Sequence, residues 1–147
     1  MKPGDPAAVE QLFDSVASRY DQLNDLLSLR LHRQWKRQLQ CFLRPAAGET
    51  WLDLCCGTGD LALELARRVR PGGSVVGLDA AAAPLELARQ RQSRQPWLNV
   101  AFQQGDALAT GLPDGSADGI VMAYGLRNLR DPAVGLKEMA RLLKPGR

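Results

Sequence analysis

Along the first fifty positions apolar residues recur at three- and four-residue steps. Val9, Leu12, Phe13, Val16 and Tyr20 fall at i, i+3, i+4, i+7 and i+11, which predicts an amphipathic helix over 7–20. Residues 31–43, LHRQWKRQLQCFL, place Leu31, Trp35, Leu39 and Phe42 or Leu43 on one side and predict a second helix. Arg44-Pro45 ends it, because proline disfavours helix in the residue before it. After Gly48 the rhythm changes. TWLDL (50–54) is a short apolar run stopped by CCGTGD, and Leu61, Leu65 and Val69 then recur at four-residue steps, giving strand, glycine turn, helix. The unit comes again as SVVGLD (74–79), followed by a helix with Pro84 at its first position and Leu85, Leu87 and Ala88 behind it. NVAFQQGD (99–106) and ADGIVMAYG (117–125) read as the third and fourth strands. Asp131-Pro132 then reads as N-cap and first residue of a helix whose stripe is Leu136, Met139, Ala140 and Leu143.

Strands alternating with helices, each strand a continuous apolar run, predict an α/β fold with a mostly parallel sheet, doubly wound by the right-handed crossover rule. Residues 1–49 are then an N-terminal helical segment packed on an α/β core formed by 50–147, one structural domain in all. A length of 147 residues agrees with one domain. Hydrophobic residues at 45% and charged residues at 24% exclude a disordered tail or a fibre. No window reaches the ~20 apolar residues of a membrane span, and MKPGDPAAVEQLF lacks the apolar stretch of a secretory signal. Cys41, Cys55 and Cys56 have no metal-ligand spacing and read as reduced thiols of a cytoplasmic protein, with no metal. A net charge of +3 and 5% aromatics give neither the basic stripe nor the stacking platform of a nucleic-acid binder.

In a doubly wound sheet ligands bind outside the carboxyl ends of the strands. There the sequence puts Asp53, then Cys55-Cys56-Gly57-Thr58-Gly59-Asp60, a turn whose Gly57 and Gly59 let a ligand approach the backbone. The helix beginning near Asp60 turns its N–H groups toward an anionic group. Asp79, 22 positions after Gly57, ends the second strand at the spacing of a carboxylate that accepts from ribose hydroxyls. Asp106-Ala107 ends the third. A dinucleotide fingerprint needs G-x-G-x-x-G, which is absent, and Asp60 at the helix start repels a diphosphate. A ligand with one carboxylate and one ammonium fits better, and S-adenosyl-L-methionine is such a ligand.

LDLCCGTGDLA resembles motif I of the class I S-adenosylmethionine-dependent methyltransferases. Together with FDSVASRYDQLND (13–25), LHRQWKR (31–37), YGLRN (124–128) and LLKPG (142–146), it resembles the quinone-biosynthesis C-methyltransferases over residues 10–147, most of all their phylloquinone branch. The resemblance implies a Rossmann-like sheet of seven strands, of which strands 1–4 in the order 3-2-1-4 are visible here. Family members continue beyond KPGR, so the chain is expected to be C-terminally truncated. The implied activity is C-methylation of a prenylated naphthoquinol in phylloquinone or menaquinone synthesis. The alternatives are a benzoquinol of the ubiquinone pathway, another small molecule, or a cofactor-binding piece without activity. Implied cofactor contacts are Thr58 in the glycine turn, Asp79 at the ribose, Asp106 and Ala107 beside the adenine, and Ala123 through its backbone. Departures from the family pattern are Ala123 for Ser or Gly, Arg30 for Gly, Pro84 for Met or Leu, and Cys55 for the first motif glycine.

A sulfonium methyl is already electrophilic, so catalysis needs in-line placement and a ring carbon made nucleophilic by loss of a hydroxyl proton. His32, the single histidine, has the intrinsic pKa of a base, and it fits equally as a packing partner in its helix. Arg127 and Asn128 follow the fourth strand and either hold a phenolate or stabilise their own loop. Asp53 serves the glycine turn or the ligand's ammonium, and Tyr20 serves the cofactor or the core. Cys55 and Cys56 are not nucleophiles, because methyl transfer needs no enzyme thiol. A lipid-tailed quinol implies visits to a membrane surface, for which Arg30, Arg33, Lys36 and Arg37 supply attraction of about 1 kcal/mol each near anionic lipid. A homo-oligomer is compatible with these features.

Overall fold

The computed structural model describes residues 31–123 and 125–147. Helix α1 (Leu31–Leu43) leads into strand β1 (Thr50–Leu54), helix α2 (Asp60–Arg68), strand β2 (Ser74–Asp79), helix α3 (Ala82–Ser93) and strand β3 (Val100–Gln104). Strand β4 (Gly119–Val121), a 3₁₀ turn (Leu126–Asn128) and helix α4 (Pro132–Leu142) complete the described chain. All pairings are parallel and the sheet order is β3-β2-β1-β4, as expected.

Side chains alternate across β1, so Trp51 and Asp53 share one face and Leu52 and Leu54 the other. Trp51 joins a core with Leu61, Leu65, Val69, Val75, Leu85, Ala88 and Phe102, against which Leu39 and Leu43 of α1 also pack. Leu52 and Leu54 pack with Leu78, Ala107, Ala117 and Leu142. Helices α1, α2 and α3 thus cover one face and α4 the other. In α2 five of nine residues are buried, and Arg67 and Arg68 come in the last turn, where they suit the helix dipole. Asp131 caps α4, accepting from the Ala133 and Val134 amides at 3.0 and 3.2 Å, with Pro132 at the first helical position.

Several expectations shift. Pro84 occupies the third position of α3, where its missing N–H is still one of the donors without an intrahelical acceptor. Strand β4 covers three residues of the nine expected, because only Gly119, Ile120 and Val121 register against Trp51, Leu52 and Asp53. On α1 the inward positions are Leu39 and Leu43, while Trp35 and Phe42 are 51% and 84% exposed. On α4 the inward positions are Gly135, Met139 and Leu142, and Leu136 faces solvent. Gly135 sets that register: a Cβ there would lie 2.6 Å from Leu129 Cδ1, so the helix face without a side chain turns inward.

Candidate functional site

The carboxyl ends of β1 and β2 are tied into one unit by Asp79. The Gly57 N–H donates to Asp79 Oδ2 at 2.8 Å and the Ala81 N–H to Oδ1 at 3.0 Å. The carboxylate expected to meet a ribose therefore also shapes the glycine turn, and a carboxylate's four acceptor positions suffice for both. Cys55 adopts φ +58°, a left-handed conformation that glycine takes more readily than cysteine. Gly57 has φ +55° and a Cβ on it would meet nothing within 4 Å, so this backbone faces open space. Gly59 differs: at φ +80° its Cβ would lie 2.7 Å from Phe102 Cζ, so this glycine lets α2 settle against β3.

Asp53 lies beneath the turn, 1% exposed. It accepts from the Ala62 amide, yet its Oδ2 has no hydrogen-bond partner among the described residues. Burial raises its pKa to about 7, opposed by the positive charge of Lys36 and reinforced by Asp79 and Asp60. The same carboxylates act on the neighbouring thiols. Burial first, then Asp79, Asp53 and Asp106, push Cys55 up to about 12, and burial with Asp53 and Asp79 pushes Cys56 up as well. Protonated thiols in such a setting are poor nucleophiles, in line with the sequence reading.

The helix start is more occupied than expected. The Gly59 N–H is spent on the Cys56 carbonyl at 3.0 Å and the Ala62 N–H on Asp53. Asp60 is bracketed by two cations, Lys36 Nζ at 3.2 Å and Arg91 Nη1 at 2.8 Å. Its charge is thus largely compensated, which removes repulsion by Asp60 as an argument against a diphosphate. The missing third glycine remains one. Arg91 also donates to the Thr58 hydroxyl and carbonyl, each at 3.1 Å, and fixes the 4%-exposed Thr58 from α3. Lys36, expected at a membrane surface, instead meets Asp60, and Arg91 is a site residue that the sequence did not single out. Their signal was indirect: Asp60, an acid beside a buried acid, requires countercharge.

Asp106 follows β3, is exposed, and accepts from the Leu108 amide at 2.8 Å, while Ala107 is buried. Ala123 packs against the α2-side core just past β4. Gly125 brings the following loop onto the turn, since a Cβ there would lie 2.7 Å from Cys55 Cβ. Arg127 and Asn128 are exposed on the 3₁₀ turn, where the Asn128 amide donates to the Gly125 carbonyl at 2.9 Å. Among the described residues that turn is closed by backbone, not by the asparagine side chain. Tyr20 lies outside the described residues, as does the side chain of His32 in α1.

The sequence and the fold have known counterparts. The chain is 51% identical over 138 residues to a 2-phytyl-1,4-naphtoquinone methyltransferase of Thermosynechococcus vestitus, covering 94% of this chain and 60% of that protein. It is 40% identical to a demethylmenaquinone methyltransferase of Lactiplantibacillus plantarum, covering 94% and 59%. A SAM-dependent methyltransferase of Aquifex aeolicus superposes with a TM-score of 0.69 at 25% identity, covering 75% of this chain and 58% of that one. The chain spans about 60% of the length of the curated relatives it matches. Residues 1–147 match the ubiE/COQ5 methyltransferase family throughout, and the chain belongs to that family.

Proposed function

We propose that the glycine turn binds S-adenosyl-L-methionine and that the protein methylates a ring carbon of a prenylated naphthoquinol. The observation that carries the reading is the cradle itself. Gly57 faces open space, Asp79 joins turn and strand end, and the buried Asp53 Oδ2 lacks a donor among the described residues. These residues fit the cofactor: Asp79 toward the ribose, the Gly57 backbone beside the ligand, Asp53 toward the ammonium, and Thr58, Asp106, Ala107 and Ala123 around them. When bound, the cofactor supplies an electrophilic methyl group.

The protein's own residues place the acceptor and manage its proton. Loss of a quinol hydroxyl proton makes the ring carbon nucleophilic. Arg127 and Asn128, on the turn after β4, hold the resulting phenolate, and His32 is the candidate base. The ring carbon would take the methyl of the bound cofactor, which leaves as the neutral thioether, and the same residues would then receive the proton that the substituted carbon sheds. The naphthoquinol ring is favoured over a benzoquinol by the names of the relatives at 40–51% identity.

A lipid-tailed substrate brings the protein to a bilayer surface. No helix among the described residues is long and apolar enough to cross a membrane. Exposed Trp35 and Phe42, with exposed Arg37 on the same helix, support a peripheral contact. Lys36 does not contribute to it, being engaged by Asp60.

The test is transfer of labelled methyl from the cofactor to a panel of naphthoquinols and benzoquinols. Label is expected in the naphthoquinol ring. Label confined to benzoquinols overturns the substrate, and absence of cofactor binding by calorimetry overturns the reading as a whole. Binding without transfer identifies a cofactor-binding piece.

A further inference from the structure

Three acids, Asp53, Asp60 and Asp79, crowd the glycine turn, and Asp53 among them is buried with an oxygen that lacks a hydrogen-bond partner among the described residues. An ionised carboxylate in that position needs a nearby positive charge. Helix α1 provides one: Lys36 Nζ lies 3.2 Å from Asp60 Oδ2, with a side chain 23% exposed. Lys36 is also the positive charge that acts on Asp53, against Asp79 and Asp60. The other groups around Asp53 are the Ala62 amide, which donates to it, and the protonated Cys55 and Cys56 thiols. Arg91 reaches Asp60 from the opposite side, at Oδ1, and is tied to Thr58. Helix α1 is otherwise held by Leu39 and Leu43, which pack on the core but carry no charge toward the turn.

We propose that Lys36 is a positioning residue of the cofactor site, fastening α1 to the glycine turn through Asp60 and supplying the positive charge that keeps the buried Asp53 ionised for its ligand. The N-terminal helix and the cofactor cradle are thereby coupled by one side chain. Ionised Asp53 binds the cofactor's ammonium, so affinity rises with pH through the Asp53 midpoint, near 7 with Lys36 present. Removing the lysine leaves only the Ala62 amide to oppose burial and the two like charges, and moves that midpoint upward. The inference rests on the cofactor reading above, but its first measurement does not need the cofactor.

Carboxyl carbon resonances of Asp53 are followed by NMR from pH 5 to 9 in the wild-type chain, Lys36→Met and Lys36→Arg, without ligand. The Lys36→Met midpoint is expected to lie about one unit above wild type, and Lys36→Arg to restore it. Calorimetric titration of S-adenosylmethionine over the same range then gives about tenfold weaker binding by Lys36→Met at pH 6 and little difference at pH 9. In Asp53→Asn the pH dependence is expected to vanish. An Asp53 midpoint unchanged by Lys36→Met overturns the proposal, as does affinity lowered equally at every pH. Wild-type protein that does not bind the cofactor while its Asp53 midpoint still responds to Lys36 overturns the cofactor reading and leaves the lysine's electrostatic role standing.

Discussion

The two ends of this sheet hold their acids on opposite terms. At the amino end, Asp118 accepts from the Thr50 amide at 2.8 Å and from Lys144 at 2.9 Å. Glu49 beside it accepts from the Ala46 amide and Trp51 Nε1, and Arg147 reaches both acids. Those hydrogen bonds hold both carboxyls below the usual carboxylate range. At the carboxyl end, burial holds Asp53 above that range, with one oxygen lacking a partner among the described residues, next to a left-handed Cys55. Saturation is what stability alone favours. Each end holds one buried side-chain oxygen without a partner among the described residues, Asp53 Oδ2 at the carboxyl end and Ser116 Oγ at the amino end. Only Asp53 is a carboxylate, which is far costlier to bury than a hydroxyl, and under the proposed reading it is the one that a ligand's ammonium completes.

The largest expected effect separates packing from binding within the glycine turn. Gly59→Val forces a side chain into Phe102 and Ala88 at φ +80°. Overpacking together with left-handed strain is expected to cost about 3 kcal/mol or more, read as a fall in the urea midpoint. Gly57→Ala meets open space and is expected to cost only about 1–2 kcal/mol from φ, with a larger loss of cofactor affinity. Equal destabilisation by the two would dissolve the distinction.

Asp79→Ala comes next. It removes a charged acceptor toward the ribose and releases the Gly57 and Ala81 amides. Hydrogen bonds to charged groups contribute ~1.5–3 kcal/mol, so the dissociation constant for S-adenosylmethionine should rise roughly ten- to a hundredfold. An unchanged constant by calorimetry refutes the assignment.

The pH response sharpens the comparison with acids of opposite shift. Asp53 is raised from 3.8 to about 7, so its ionisation costs stability, the cost growing from pH 3.8 to about 7 and remaining in full above. Asp53→Asn is therefore expected to raise the melting temperature at pH 8 while weakening cofactor binding, the trade of stability for function that such sites make. Glu138 behaves like the amino-end acids. Arg141 and Thr110 lower it from 4.5 to about 2, so its contribution is present above pH 4.5 and is lost as pH falls toward 2. Glu138→Gln should destabilise by at most about 2 kcal/mol at pH 7, with no loss remaining near pH 2. Thermal melts across pH 2–8 that show the same sign for both variants at pH 8 would contradict this assignment.

What the sequence disclosed is what local chemistry determines. Asp131-Pro132, the turn Gly57-Thr58-Gly59 and Asp79 at a strand end each carry their meaning within a few residues, and each stands where expected. Helix faces were less legible. On α4 the buried stripe runs through Gly135, which contributes no hydrophobic signal because its burial follows from Leu129 and Leu108 lying over it. On α1, Leu39 and Leu43 pack inward while Trp35 stays half exposed, a choice made by the core and not by periodicity. The charge network escaped altogether. Lys36, Arg91 and Asp60 are separated by 24 and 31 positions, and nothing in a basic cluster says which member will meet a distant acid.

The smallest effect is the most informative control on the two ends of the sheet. Lys144 and Lys36 are each bonded to an aspartate, Lys144 to Asp118 at 2.9 Å and Lys36 to Asp60 at 3.2 Å. Lys144 is 45% exposed against 23% for Lys36, while their partners reverse the order, Asp118 at 9% and Asp60 at 38%, so exposure alone does not separate the two pairs. Its partner Asp118 keeps the Thr50 amide and Arg147 when the lysine is gone, and so is left with neither an orphaned oxygen nor an uncompensated charge. With those partners retained, the lysine is expected to contribute no more than about 1 kcal/mol. Lys144→Met is thus expected to move the urea midpoint barely and to leave cofactor affinity unchanged from pH 6 to 9. Lys36→Met, by contrast, weakens binding at the acid end of that range. If Lys144→Met also imposes a pH-dependent loss of binding, the influence of a lysine reflects the net charge of the protein and not its place, and the contrast between the two ends of the sheet fails.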